Sequence, residues 1–124
     1  MGDGKYHVQS IIFDWQNNGG NAVSGTIPSS LYTLPMLNSL YMSNNPNMVV
    51  NIDDITQSAY ANNYTNIFLN NATLYGNLNG FANLVNLQSL SVACYRDANF
   101  DNCDITGDTS FVSSLTKLQM LNIG

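Results

Sequence analysis

The side chains best suited to metal binding lie in one acidic segment of the chain. Oxygen-bearing side chains alternate at Asp97, Asn99 and Asp101, and Asp108 follows Asp97 by eleven residues. Oxygen ligands at alternate positions, with a carboxylate at the twelfth, are typical of calcium-binding loops. However, Asn102 stands where such loops have glycine, and no helix-forming pattern flanks the segment. The two interpretations are a calcium loop and an acidic, solvated insertion, and the incomplete match favours the insertion.

The sequence offers little for catalysis. His7 is the only histidine, and no serine or cysteine forms a recognisable nucleophile motif with it. Asp53 and Asp54 are adjacent, and neighbouring side chains in a strand or loop point apart, so a shared proton between them is not expected. The sequence contains no glycine-rich phosphate loop and no metal-ligand motif. We therefore expect neither enzymatic activity nor a resident cofactor.

Two Asn-x-Thr triplets are acceptor sequences for N-linked glycans, one beginning at Asn63 and the other at Asn71. A chain this rich in asparagine also generates such triplets by chance. Asn63 directly precedes a predicted strand, at an accessible edge, whereas Asn71 follows the same strand. We expect Asn63 to be the better acceptor of the two.

Charge is scarce in this chain. Of its 124 residues, 9% are charged, against about 25% in an average globular domain. Three basic residues face eight acidic ones, which gives a net charge of −5. Because nothing would neutralise phosphates, nucleic acids are poor partners, and binding to anionic membrane surfaces is disfavoured for the same reason. The N-terminus does not resemble a signal peptide, and no stretch is apolar enough to span a bilayer, so membrane insertion is not expected.

An internal repeat runs through the chain. An L-x-x-L-x-L pattern, which places alternate apolar side chains on one face of a short strand, occurs five times with starts 23 to 31 residues apart. The five occurrences are Val8-Ile11-Phe13, Leu37-Leu40-Met42, Tyr64-Ile67-Leu69, Leu87-Leu90-Val92 and Leu118-Leu121-Ile123. They predict strands near residues 8–13, 37–42, 64–69, 87–92 and 118–123. Repetition at this period is typical of stacked repeat proteins.

The connections after the strands repeat as well. An apolar residue stands two positions before each of Gly25, Gly76 and Gly107, and a short apolar turn of helical type follows. Glycine at these positions indicates a backbone conformation that a Cβ would resist. Residues 23–45, with Ser-Gly-Thr-Ile-Pro near their start, match almost position by position a known unit, L-x-x-L-x-L-x-x-N-x-L-S-G-x-I-P-x-x-L-x-x-L.

The chain thus resembles the plant-type leucine-rich repeat family, closely over residues 23–45 and more weakly over the rest. The resemblance implies one leucine-rich repeat solenoid spanning residues 1–124, with a parallel β-sheet on its concave side and short 3-10 or irregular turns on its convex side. About four coils and a fifth strand are expected. The familiar terminal caps of the family are not recognisable, which predicts either a segment of a longer protein or a unit that stacks on other copies.

Departures from the repeat are local. The family places a buried asparagine after each strand, where it satisfies backbone groups at the turn, and Asn45 fits that role. Ala72 occupies the equivalent position in the third coil, and Tyr95 or Cys103 does so in the fourth. Pro28 is not repeated. The strands should survive these changes, while the outer turns should be irregular.

The two cysteines, Cys94 and Cys103, flank the acidic insertion. One interpretation is a disulfide that closes this loop. The other is a free Cys94 with Cys103 buried in place of the repeat asparagine. The resemblance implies an extracellular or cell-surface location, where disulfides persist, and so favours the disulfide.

On the concave face, the residues between the strand leucines would point outward. They form an uncharged surface of amides and hydroxyls crossed by an aromatic stripe. The candidate ligand-binding residues are Trp15, Tyr41, Asn44, Asn66, Phe68 and Asn70. Aromatic anchors in a neutral hydrogen-bonding surface suit a protein, peptide or glycan ligand. An alternative is that Tyr41 and Phe68 only favour strand formation. The resemblance implies an extracellular recognition module; the alternative function is a structural subunit that stacks end to end into a glycosylated filament.

Overall fold

The computed structural model of the protein describes residues 7–13, 23–94 and 103–124. Within these ranges the chain forms short strands, one α-helix and several 3-10 helices. The strands are β1 (Ser10–Ile12), β2 (Gly25–Thr26), β3 (Ser39–Tyr41), β4 (Met48–Asn51), β5 (Asn66–Asn77), β6 (Ser89–Cys94), β7 (Cys103–Thr106) and β8 (Met120–Ile123). The helices are η1 (Ser29–Thr33), α1 (Ile52–Thr56), η2 (Ala61–Asn63), η3 (Leu78–Asn83) and η4 (Thr109–Ser114).

Five strands form a first parallel sheet in the order β1-β3-β5-β6-β8. Their register aligns the central apolar residue of each repeat. Across the sheet the aligned residues are Ile11, Leu40, Ile67, Leu90 and Leu121. The chain therefore returns in the same direction after every connection, and the predicted parallel β-sheet is confirmed.

Within the repeats, the segments that come after the strands of the first sheet form a second parallel sheet, in the order β2-β4-β5-β7. Strand β5 belongs to both sheets, since its 12 residues pass from the first to the second. At the change of sheet Asn71 adopts a left-handed conformation with φ of 56°, and the pairing with β6 shifts register there. The sequence pattern predicted irregular turns in this region, so the second sheet and helix α1 are additions to it.

The core lies behind the first sheet. Along β5 the side chains of Ile67 and Leu69 are fully buried, while Asn66, Phe68 and Asn70 on the opposite face are partly exposed. The buried residues of the aligned row pack with aromatic residues from the 3-10 helices, including Phe81 of η3. Burying each such side chain contributes about 1.5–3 kcal/mol. The alternation of side chains in the L-x-x-L-x-L unit thus determines which face of the sheet packs against the core.

The repeated glycines stand where the backbone takes a conformation that other residues resist. Gly25, Gly76 and Gly107 have φ angles of 91°, 123° and 89°. A Cβ at Gly107 would also overlap the Asn77 side-chain oxygen. The prediction made from their spacing is confirmed, because glycine alone tolerates this turn without strain.

Asn45 holds the turn after β3. Its side chain is completely buried, and its Oδ1 accepts a hydrogen bond from the Val23 amide at 2.8 Å. Its Nδ2 donates to the carbonyl oxygens of Phe13 and Ser43. One amide side chain therefore satisfies three backbone groups from the preceding and the current repeat, as predicted. Ala72, the equivalent residue one repeat later, is also fully buried but cannot make these bonds.

None of the helices in the described ranges has both the length and the apolarity required to cross a bilayer.

Candidate functional site

An aromatic pair lies at the centre of the outer face of the first sheet. Tyr41 of β3 and Phe68 of β5 are directly aligned in the sheet. Their rings stack with centroids 5.3 Å apart and an angle of 12° between the planes. Both side chains are partly exposed, so the pair remains accessible at this face. Ile12 of β1, aligned with Tyr41, extends the apolar row and is 67% exposed.

A polar row runs along one side of this apolar row. Ser39 of β3 is aligned with Asn66 of β5. The Ser39 hydroxyl donates to the Asn38 side-chain oxygen at 2.7 Å, and the Asn66 amide donates to the Thr65 hydroxyl at 3.1 Å. Asn66 also lies 3.4 Å from the Ser39 hydroxyl. These contacts fix the orientation of neutral donors and acceptors beside the rings.

A second polar row, Ser43 and Asn70, lies on the other side of the rings, and Ser91 of β6, aligned with Phe68, stands at the end of the row of rings. The Ser91 hydroxyl of β6 donates to the Asn70 side-chain oxygen at 2.7 Å, and the Ser43 hydroxyl accepts from the Asn70 backbone amide at 3.2 Å. Beyond it, the Asn71 amide donates to the Asn44 side-chain oxygen at 2.9 Å. Asn44 and Asn71 both have left-handed backbones, with φ of 63° and 56°.

We call the surface formed by these two polar rows, the apolar row between them and Ser91 at the end of the apolar row the aromatic face; it comprises Ile12, Ser39, Tyr41, Ser43, Asn66, Phe68, Asn70 and Ser91. Of the predicted binding residues, Tyr41, Asn66, Phe68 and Asn70 are brought together here, and Asn44 lies at its margin. Trp15 lies outside the described residues. The repeat pattern predicted that Ser39, Ser43 and Ser91 point outward. It did not predict that neighbouring groups would cover them, which leaves these residues only 5%, 9% and 1% exposed.

The aromatic face carries no charge. In the described parts of the five strands that form the first sheet, no residue is Asp, Glu, Lys, Arg or His. The acidic residues of the described ranges are elsewhere: Asp53 and Asp54 in α1, Asp104 in β7, and Asp108 before η4. The carboxylates are thus associated with the second sheet and the helices, and the first sheet presents neutral groups.

The two candidate glycosylation sites lie before and within β5. Asn63 is exposed in η2, and its amide donates to the Pro35 carbonyl at 2.8 Å. Asn71 is exposed at the change of sheet within β5 and borders the aromatic face through Asn44. A glycan on Asn71 would therefore stand next to the face, whereas one on Asn63 would stand away from it.

Asp108 has a structural role in this protein. Its carboxylate accepts from the Ser110 backbone amide at 2.9 Å and caps η4. Hydrogen bonds from the Ser110 side chain and backbone lower the pKa of the Asp108 carboxyl. The other three candidate calcium ligands, Asp97, Asn99 and Asp101, lie outside the described residues. Within the described ranges, no three acidic, histidine or cysteine side chains are grouped to hold a metal.

A disulfide joins Cys94 and Cys103, whose Cα atoms are 5.8 Å apart. Cys94 is the last residue of β6 and is aligned with Ala72 of β5, while Cys103 begins β7 and is aligned with Leu74. In β5 the chain passes directly from Ala72 to Leu74. In the next repeat the equivalent residues are Cys94 and Cys103, and the disulfide joins them on either side of the acidic insertion. It therefore joins the end of β6 in the first sheet covalently to the start of β7 in the second.

Replacing both cysteines with serine is expected to lower the free energy of unfolding by about 2–3 kcal/mol, the value for a closed loop of this length. Equilibrium urea denaturation of the oxidised wild type and the Cys94→Ser/Cys103→Ser variant measures the change. Wild type reduced with a phosphine is the matched control and should behave like the variant. Equal denaturation midpoints for oxidised and reduced wild type would contradict a stabilising role for the bond.

No protein-family model matches the chain, and no curated protein is significantly similar to it.

Proposed function

We propose that this chain is an extracellular leucine-rich repeat solenoid of the plant type, and that it recognises a protein, peptide or glycan through the aromatic face. The aromatic face would then be the concave surface of the solenoid. Support for the architecture comes from the five repeat units, which coincide with five adjacent parallel strands, and from Asn45 in the position of the repeat asparagine.

The observation that carries the proposed function is the partly exposed, stacked Tyr41–Phe68 pair between two rows of oriented amides and hydroxyls. Aromatic side chains are enriched at binding hot spots because they bury a large area with few rotatable bonds. The disulfide and the two acceptor triplets support an oxidising, glycosylating compartment.

The test compares two aromatic variants of the same strand. Immobilised wild type is screened against a peptide library, a glycan array and an extracellular protein fraction, and each ligand is then measured against Phe68→Ala and Tyr75→Ala. Tyr75 is 38% exposed on the second sheet and serves as the matched control. We expect Phe68→Ala to weaken binding at least about tenfold, since central aromatic anchors are worth 2 kcal/mol or more. Ligands that bind both variants as they bind wild type would contradict the proposal.

A second candidate function is end-to-end stacking into a filament. The observation that favours it is the apolar surface at both edges of the first sheet: at inward positions of the repeat, Val8 just before β1 is 49% exposed and Leu121 of β8 is 40% exposed. Unpaired edge strands of this kind can pair with another copy in a contact that does not close. Light scattering over a range of concentrations distinguishes the two functions, because a filament grows with concentration and a recognition module keeps its size.

A further inference from the structure

The arrangement of the aromatic face narrows the class of ligand, and this inference rests on the proposed function. Its apolar row runs across the strands, from Ile12 through Tyr41 to Phe68, in direct register. Three neighbouring strands span about 10 Å in that direction, at about 4.8 Å per strand. The polar rows run parallel to this row on both of its sides. The surface is therefore a narrow apolar strip with hydrogen-bonding edges.

On β3 and β5 a polar residue stands on each side of the aromatic residue on the outer face. Strand β5 presents Asn66, Phe68 and Asn70 on one face, because residues two apart point the same way. Along β3 and just beyond its end, Ser39, Tyr41 and Ser43 follow the same order. An extended ligand lying across the strands would meet the rings at its centre and the partly exposed amides of Asn66 and Asn70 at its two edges, since the serine hydroxyls of the face are covered. Its own cross-section should then be apolar in the middle and polar at the edges.

A chain of equatorially linked, neutral pyranose sugars has that cross-section. Its ring faces expose C–H groups, which pack on aromatic and aliphatic side chains, and its hydroxyls project from the two edges of the ribbon. The length of one linked sugar is close to the spacing between strands. We propose that the aromatic face binds a neutral, β-linked polysaccharide that lies across the strands with its sugar faces on Tyr41 and Phe68.

The electrostatics disfavour anionic ligands of the same shape. The described strands of the first sheet supply no cation that would pair with an acidic sugar, and the net charge of −5 repels one. A peptide is less well matched for a different reason. Extended peptides usually bind a sheet through the backbone of an edge strand, whereas the aromatic face lies over the paired strands β3 and β5 and offers side chains only.

The experiment titrates the full-length, disulfide-bonded chain with three neutral β-linked hexasaccharides: cellohexaose, mannohexaose and laminarihexaose. Maltohexaose, which is neutral but α-linked, and hexagalacturonate, which is anionic, are the comparison ligands. Binding is followed by calorimetry and by shifts of the backbone amide signals. We expect at least one β-linked sugar to bind at least about tenfold more tightly than both comparison ligands, with the shifts concentrated on β3 and β5.

Variants separate the face from the rest of the surface. Phe68→Ala is expected to weaken the sugar at least about tenfold, and the control Tyr75→Ala to leave it unchanged. If none of the three β-linked sugars binds at millimolar concentration, the glycan inference is overturned. The proposed function still stands in that case if a peptide or protein ligand depends on Phe68, and it fails as well if no ligand does. Sugar binding that survives Phe68→Ala would overturn the assignment to this face.

Discussion

Replacing Asn45 with alanine is expected to lower the free energy of unfolding by about 3–5 kcal/mol. The wild-type side chain is fully buried and pairs with the Val23 amide and with the carbonyl oxygens of Phe13 and Ser43. Alanine would leave these backbone groups without a partner, and each unsatisfied buried group costs about 1–3 kcal/mol. Partial hydration of the new cavity keeps the total below the sum of the individual penalties.

Urea denaturation followed by circular dichroism measures this loss. Asn47→Ala is the matched control, because Asn47 is an exposed asparagine two residues away. Its backbone carbonyl accepts a hydrogen bond from the Gly25 amide, and alanine keeps that bond. Asn45→Leu should be about as harmful as Asn45→Ala, since it restores volume but no hydrogen bonds. If Asn45→Ala lies within about 0.5 kcal/mol of the control, the range expected of a surface substitution, the hydrogen-bonding role assigned to Asn45 is wrong.

Alkaline conditions are expected to destabilise the protein through two buried tyrosines. Tyr32 and Tyr64 are both 0% exposed, and burial raises the pKa of each phenol above its ordinary value. The folded chain therefore holds these protons at a pH where the unfolded chain has released them. The contribution of these two tyrosines to the free energy of unfolding is complete below the pKa of the unfolded chain, near 10. Above that pH it decreases by about 1.4 kcal/mol per pH unit for each tyrosine.

Urea denaturation at pH 8, 10 and 11.5 tests this expectation, and Tyr32→Phe removes one of the two contributions. Tyr32→Phe should cost little at pH 8, because the Tyr32 hydroxyl is buried without a hydrogen-bond partner among the described residues. Tyr64→Phe should cost about 1 kcal/mol at pH 8, since the Tyr64 hydroxyl donates to the Tyr32 carbonyl at 3.0 Å. Tyr60→Phe, at an exposed position, is the control. A midpoint that does not change between pH 8 and pH 11.5 would contradict the prediction.

The part of the fold that was predictable from sequence is the part fixed by periodicity. Leu40, Ile67 and Leu90 recur within the same short pattern, and a row of buried side chains requires that pattern whatever the connections do. The second sheet left no such trace. Its strand β2 has two residues, and β4 runs directly into α1. Such short strands are held by pairing with their neighbours, β2 with β4 and β4 with β5, which local sequence does not encode.

The candidate site was predictable only as a set of aligned positions. Register placed Tyr41 beside Phe68, so their proximity followed from the repeat. The parallel stacking of the rings and the covering of Ser39 and Ser91 depend on side-chain rotamers and on neighbours from other strands. The sequence pattern alone did not decide between a disulfide and free cysteines for a similar reason. The pairing depends on where β6 ends and β7 begins, which is at Cys94 and Cys103.

The central claim is that the repeats form adjacent parallel strands whose outer side chains make one neutral face. Nuclear magnetic resonance measures this directly, through scalar couplings across individual hydrogen bonds. We predict couplings from the Met42 amide to the Phe68 carbonyl, from the Gln88 amide to the Thr65 carbonyl, and from the Gln119 amide to the Gln88 carbonyl, whose N–O distances are 2.9, 2.8 and 2.7 Å. Rapid solvent exchange of these three amides, with couplings to other carbonyls or to none, would contradict the parallel register and the face built on it.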